Sequence, residues 1–273
     1  MRGVVLIENS AGHPGCVCEH GLSVYFETET RRVLADTGST AAFLENAEAL
    51  GVDLARTDLV FLSHGHYDHA GGIPEFAARY PRVPIYLRKS AGGDYYAMDP
   101  DGPRYVGMEK SVLALPQAIP LDCDRDLDSG VTCFGNVTER RLWSKSNLLL
   151  RRREGENYLQ DSFDHEQALV LREREKYCLF TGCAHCGVLN FLDRFREKYG
   201  RCPDAVVGGF HFMKKGDYTP EEETVIRKTA KELSVMPTVF YSGHCTGRRA
   251  WAMMAEIMGD GLREIHTGTE FTV

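Results

Sequence analysis

Apolar and polar positions alternate in short runs through the first third of the chain, the pattern of strands rather than of helices. Residues 4–8 and 33–35 read as short strands, and within 22–27 the side chains of Leu22, Val24 and Phe26 fall on one face. The period lengthens over 39–50, where Phe43, Leu44, Ala47 and Leu50 share a helical face. Ser39 or Thr40 is the expected cap of that helix and Gly51 its stop. The run 58–62 predicts a buried strand, followed by a short helix at 74–80 and a strand at 83–87. From 89 to 145 the pattern breaks into Gly, Pro, Asp and scattered aromatics, which predicts an irregular insertion of the kind that walls a substrate site. Strands resume at 147–150, 168–172 and 177–180, then a helix at 188–199, a strand at 205–207 and a helix at 220–234. A strand at 238–241, a helix at 247–259 and a last strand near 263–266 complete the reading. Two strand-rich halves, each followed by helices, predict an α/β fold with two sheets sandwiched between helical layers. No repeat or linker divides residues 1–273, so a single domain is expected.

Composition narrows the function classes. A net charge of −7 argues against a nucleic-acid binder. The basic run at 151–153 is expected on a solvated loop. No stretch approaches the ~20 apolar residues of a membrane span, and no leader pattern opens the chain. A cytoplasmic protein with a small-molecule substrate is therefore expected. The nine cysteines are odd in number and scattered, which predicts reduced thiols, with one or two available as ligands.

The chemistry is concentrated in 58–72, "DLVFLSHGHYDHAGG", where His64, His66, Asp68 and His69 follow directly on the apolar strand. On a loop leaving a strand, His64 and His66 can aim two imidazoles at one ion while Asp68 and His69 turn toward a second. Imidazole with carboxylate suits zinc, iron or manganese. A polar loop with backbone-bonded histidines would not need four such residues in six positions.

H-x-H-x-D-H behind an apolar strand resembles the metallo-β-lactamase fold superfamily, and later motifs appear in that family's order along essentially the whole chain. The resemblance implies an αββα four-layer sandwich with two mixed sheets between helical layers, and two divalent metal ions, zinc foremost. It implies that Asp36 in "LADTGST" supports the metal loop by hydrogen bonding. It further implies His165 in "DSFDHEQALVL" and His244 in "VFYSGHCTGRRAW" as ligands. One ion would then take His64, His66 and His165, the other Asp68, His69 and His244. The family's next aspartate is replaced here by Cys183 in "FTGCAHCG", a competent ligand, with His185 as the alternative donor. His211 in "GGFHF" is open between core residue, ligand and substrate contact, with substrate contact preferred. Asp68, His185 and His211 are the candidates for a direct part in the reaction.

"EHGLSVYFE", "HGHYDHAGG", "FTGCAHCGVLN", "GGFH" and "GHCTG" resemble a narrower, dihydropteroate-synthase-like group. That group is named after the archaeal 7,8-dihydropterin-6-methyl-4-(β-D-ribofuranosyl)aminobenzene-5′-phosphate synthase. Independently of the resemblance, a helix expected to begin at Gly247 beside His244, with Arg248 in its first turn, suits an anion. The expected function is a binuclear metal-dependent hydrolase or transferase acting on a small anionic, phosphorylated substrate through a metal-activated water or substrate group. A pterin-joining transferase, with aromatic walls from Tyr95, Tyr96, Phe210 and Phe212, is the first alternative. A non-catalytic or redox metal-binding protein is the second.

Overall fold

The computed structural model describes residues 1–273 and is an αββα stack with a third, smaller sheet at one end. The first sheet holds β1 (Arg2–Ile7), β2 (Ser23–Glu27), β3 (Arg32–Ala35), β4 (Leu59–Phe61), β5 (Ile85–Arg88), β8 (Ala118–Leu121) and β18 (Glu270–Thr272). Their order is β18-β1-β2-β3-β4-β5-β8, antiparallel up to β3 and parallel from β3 onward. The second sheet holds β9 (Arg125–Asp128), β10 (Val131–Gly135), β13 (Gln167–Glu173), β14 (Lys176–Phe180), β15 (Ala205–Val207), β16 (Val239–Ser242) and β17 (Leu262–Glu264). It runs β17-β16-β15-β14-β13-β10-β9, parallel from β14 to β17. Each sheet is thus half hairpins and half parallel crossovers.

Three buried clusters explain the layers. Leu22, Val24, Phe26, Val33 and Phe61 meet Leu169, Leu171, Cys178, Phe180 and Val207 between the sheets. The alternate residues Tyr25, Leu34, Val60 and Leu62 face outward onto α1 (Ala42–Ala49) and α3 (Ile73–Arg79), through Phe43, Ile73 and Phe76. On the far side Phe134, Val170, Leu179, Val206 and Phe240 lie under α4 (Val188–Tyr199), α5 (Pro220–Ser234) and α6 (Arg248–Met258). Both faces of these strands are covered, which is why their runs are apolar without a polar alternate. α1 starts later than its sequence pattern implied, at Ala42, whose N–H the Thr40 hydroxyl accepts at 3.1 Å. The carboxylate of Glu19 in turn accepts the N–H groups of Ser39 and Thr40, at 2.9 Å each.

Residues 89–145, expected as an irregular insertion, carry regular strands. β8, β9 and β10 extend the two main sheets, and β6 (Tyr95–Asp99) with β7 (Gly102–Tyr105) opens the third. That sheet, β12-β11-β6-β7, is completed by β11 (Leu150–Glu154) and β12 (Asn157–Gln160). The basic run 151–153 therefore lies on a strand, not a loop, and 145–149 is a 3₁₀ turn where a strand was expected. These strands are short and half-exposed, so they lack the apolar alternation that marks a buried strand. The third sheet docks on the histidine loop: Tyr67 N–H donates to Val106 O (3.0 Å) and Met108 N–H to Gly65 O (2.9 Å). No helix is long and apolar enough to cross a membrane.

Candidate metal centre

The titratable side chains collect at the C-terminal ends of the parallel strands of both sheets, where side chains from successive crossovers can converge. β3 ends at Asp36, and β4 runs into Ser63, His64 and the short helix α2 (Tyr67–Ala70), which carries Asp68 and His69. From the facing sheet β14 runs into Cys183 and His185, β15 into His211, and β16 into His244 and Cys245. Asp36, Ala184, His211 and His244 all adopt left-handed backbone (φ 57°, 50°, 49° and 48°). Such non-glycine conformations cluster where the surroundings over-determine a site. Gly182 is needed for space as well as for its φ of +58°: a Cβ there would lie 2.2 Å from Ser63 Oγ.

Hydrogen bonds settle which ring nitrogen of each histidine carries its proton. Asp36 Oδ1 accepts the Ser63 N–H and Asp36 Oδ2 the Ser63 hydroxyl, both at 2.7 Å. The hydroxyl proton being spent, His64 Nδ1–H must donate to Ser63 Oγ (2.8 Å). His69 Nδ1–H donates to Asp36 Oδ2 at 2.6 Å. Asn147 Nδ2 donates to His185 O (3.0 Å), which leaves Asn147 Oδ1 to accept from His185 Nδ1–H at 3.0 Å. Asn9 Oδ1 accepts the Gly21 N–H and also His244 Nδ1–H, the latter at 2.9 Å. All four Nδ1 atoms are thereby anchored as donors, and the Nε2 atoms point inward.

These Nε2 atoms face one another. His64 Nε2 lies 3.2 Å from His185 Nε2, and His69 Nε2 lies 3.2 Å from His244 Nε2 and 3.1 Å from Cys183 Sγ. Asp68 Oδ2 stands 3.4 Å from His244 Nε2 and 3.7 Å from His69 Nε2. Ligand atoms of His64, Cys183 and His185 form one group within 4.8 Å, and those of His69, Cys183 and His244 another. His66 Nε2 is buried with no partner at all. Acceptor facing acceptor at His64 and His185, and the orphaned imidazole nitrogen of His66, are costly in a dry interior, and cations between them remove that cost. The donor set fits divalent ions of the zinc type.

The acid–base state is divided: His64, His66, His185 and Asp68 are held in their ligating forms, whereas His69 and Cys183 would have to give up a proton to a cation. Burial, reinforced by neighbouring histidines, pushes His64 and His185 well below the usual imidazole range and His66 down to about 3, so these rings stay neutral. Asp68, despite burial, is held well below the ordinary carboxylate range by His69, His20 and His244. His69 is opposed by burial but raised to about 9 by Asp36 and Asp68. Burial and the neighbouring Cys245 sulfur push the Cys183 thiol well up.

His165 sits apart from the His64–His185 pair. Its Nδ1 accepts the Gly65 N–H (3.0 Å), so Nε2 carries the proton and donates to Asp161 at 3.2 Å. In this tautomer both nitrogens are used, and the ring braces the loop between His64 and His66 while Tyr95 stacks on it at 3.9 Å. Its neighbours Asp161 and His66 give it a group of their own. His185, carried in sequence only as an alternative to Cys183, faces His64 where His165 was expected. His211 lies against His185 at 4.1 Å, near Cys183 and Cys245.

Four supporting residues carry no recognisable pattern in sequence. Asn9 and Asn147 orient His244 and His185. Glu8 accepts the His244 N–H at 2.5 Å, and buried Glu166 accepts the N–H groups of His185 and Cys186 at 2.6 and 2.7 Å. The aromatic wall expected from Tyr95, Tyr96, Phe210 and Phe212 is not assembled. Phe210 and Phe212 are packed in the core beneath the helices, and Tyr96 lies with Tyr105 and Tyr158 on the third sheet.

Beyond His244 opens a cavity of about 410 Å³ lined by Asn9, Gly247, Arg248, Trp251 and His266, with Glu8 and Glu264 also contributing. The two arginines at the start of α6 part company there. Arg249 pairs with Asp217 at 2.9 Å and covers Tyr218, whereas Arg248 lines the cavity and makes no ion pair.

Comparison with known proteins agrees with the fold. Residues 17–133 match the family model of the metallo-β-lactamase superfamily. The crystal structure of Tm1679, described as a metal-dependent hydrolase of the β-lactamase superfamily, superposes with a TM-score of 0.82 at 31% identity, covering 100% of this chain and 99% of that one. The 7,8-dihydropterin-6-methyl-4-(β-D-ribofuranosyl)-aminobenzene-5′-phosphate synthase of Methanocaldococcus jannaschii is 25% identical over 92% of this chain and 88% of that protein. Zn²⁺-bound PqqB of Methylobacterium extorquens, at 12% identity and a TM-score of 0.57 with 100% of both chains covered, shares the fold alone.

Proposed function

This chain belongs to the metallo-β-lactamase superfamily, and from that premise we propose that it is a binuclear metal-dependent hydrolase or transferase acting on a small anionic, phosphorylated substrate. The observation that carries the reading is the pair of inward-facing Nε2 contacts at 3.2 Å, His64 with His185 and His69 with His244, with the Cys183 sulfur between them. His64, His66 and His185 would hold one ion and Asp68, His69 and His244 the other, with Cys183 serving both. Two such ions supply Lewis acidity toward an electrophilic centre and lower the pKa of a water. The residues around them orient and exclude. Asp36, Asn9 and Asn147 fix the rings, and the third sheet closes one side. His20, 3.3 Å from Asp68 and partly exposed, stands at the rim where a proton can be passed to solvent. Arg248 and the start of α6 would hold the substrate anion in the cavity beside His244.

Assay against a panel of phosphate mono- and diesters, with metal analysis of each variant, tests this. His64→Ala and Asp68→Ala should lose metal and activity together, and Arg248→Ala should raise KM about tenfold or more with kcat largely kept. Unchanged metal and turnover in the first two variants would discard the proposal. The similarity to the M. jannaschii synthase favours a second reading, a pterin-joining transferase, decided by incubation with a pterin pyrophosphate and a ribosylated aminobenzene phosphate.

A further inference from the structure

We propose that Cys183, His211 and Cys245 form a third cation position, of Cys₂His type, for a soft divalent ion such as zinc, sharing the Cys183 sulfur with the binuclear centre. Their three ligand atoms lie within 4.8 Å of one another. Independently, His211 Nδ1 is buried without any hydrogen-bond partner. Its backbone is held in place: Ser144 Oγ donates to the His211 carbonyl at 2.6 Å, and φ is 49°. Cys245 is buried, and its Sγ lies beside the Cys183 and His211 side chains and donates to the Cys183 carbonyl at a long 3.6 Å.

The three loops that carry these donors are stitched together by their own backbones. Gly209 N–H donates to Gly182 O at 2.7 Å, and Met213 N–H donates to Cys245 O at 2.8 Å. Phe210 N–H donates to Thr246 Oγ1 at 2.9 Å. Gly209 leaves room for the sulfur, since a Cβ there would lie 2.3 Å from Cys245 Sγ. Two thiolates and an imidazole at fixed positions are a zinc set with one coordination place left open. Thiolate donors also discriminate against hard cations such as Mg²⁺ and Ca²⁺. The remaining buried thiols offer no such company: Cys133 and Cys178 are packed among apolar side chains, and Cys186 donates to the Phe163 carbonyl at 3.8 Å outside any cluster of ligand atoms.

The inference rests on the binuclear reading for Cys183 alone, and metal titration separates the two. Full-length protein is purified without oxygen, stripped with chelator and titrated with Zn²⁺ and, separately, Co²⁺, with folding of each variant checked by circular dichroism. The wild-type chain should bind about three ions, and Cys245→Ser and His211→Ala about two each. The cobalt–thiolate charge-transfer band should weaken in Cys245→Ser. In His211→Ala, which keeps both sulfurs, the same band should shift. If the wild type saturates at about two ions and both variants match it in stoichiometry and spectrum, the third position does not exist. If instead His64→Ala and His244→Ala leave metal content unchanged, it is the binuclear reading that fails.

Discussion

The two halves of the centre are built on opposite plans. In the first half one loop delivers His64, His66, Asp68 and His69 within six residues, and a single carboxylate, Asp36, orients two of them through Ser63 Oγ and His69 Nδ1. In the second half Cys183, His185, His211, His244 and Cys245 arrive on three separate strand ends, and His185 and His244 each have an orienting partner of their own. Those partners are distant in sequence: Asn147 lies 38 residues from His185, and Asn9 lies 235 from His244. A contiguous motif is robust because one turn fixes it; a dispersed one depends on the register of three parallel strands.

The sharpest test of that contrast sets His185 against His165. His185→Ala should weaken binding of one ion by more than about 100-fold, because a donor itself is removed. His165→Ala should leave metal content near wild type and cost about 1–3 kcal/mol in urea unfolding, since it strips the Gly65 N–H of its acceptor. Equal metal loss in both would return His165 to the ligand set. Next in size, Asn147→Ala removes only the orienting bond on His185 and should lower metal affinity about 10–100-fold, read by competition with a chromogenic chelator.

The smallest effect is electrostatic and belongs to the first half. In the chelated chain His66, held at about 3 against 6.5, gains its proton only on unfolding, so stability should fall as the pH drops from 6.5 toward 3. His69 has the opposite sign. Its folded value of about 9 gives a contribution that is full below 6.5 and lost as the pH rises through 9. Urea unfolding of chelated protein should therefore show a maximum between those limbs, and a flat profile would contradict these opposed shifts.

Much of this architecture is legible in sequence. The bounds of β15, α4 and α5 follow from apolar period alone, and H-x-H-x-D-H announces its chemistry. The third sheet is not legible, because strands such as Gly102–Tyr105 and Leu150–Glu154 are stabilised by pairing with each other rather than by a buried face. The exchange between His165 and His185 is hidden for a related reason. Which histidine keeps a free lone pair depends on a backbone N–H, Gly65, one hundred residues away from one of them. Asn9, Asn147, Glu8 and Glu166 are ordinary polar residues until the fold aims them.

The bonds from Tyr67 and Gly65 to the β6–β7 hairpin have a consequence for traffic. The hairpin cannot swing outward as a gate without pulling on the peptide units that hold His64 and His66. That side of the centre is a fixed wall, and the open cavity lies beside His244. Any movement that admits a solute would have to come from the other walls.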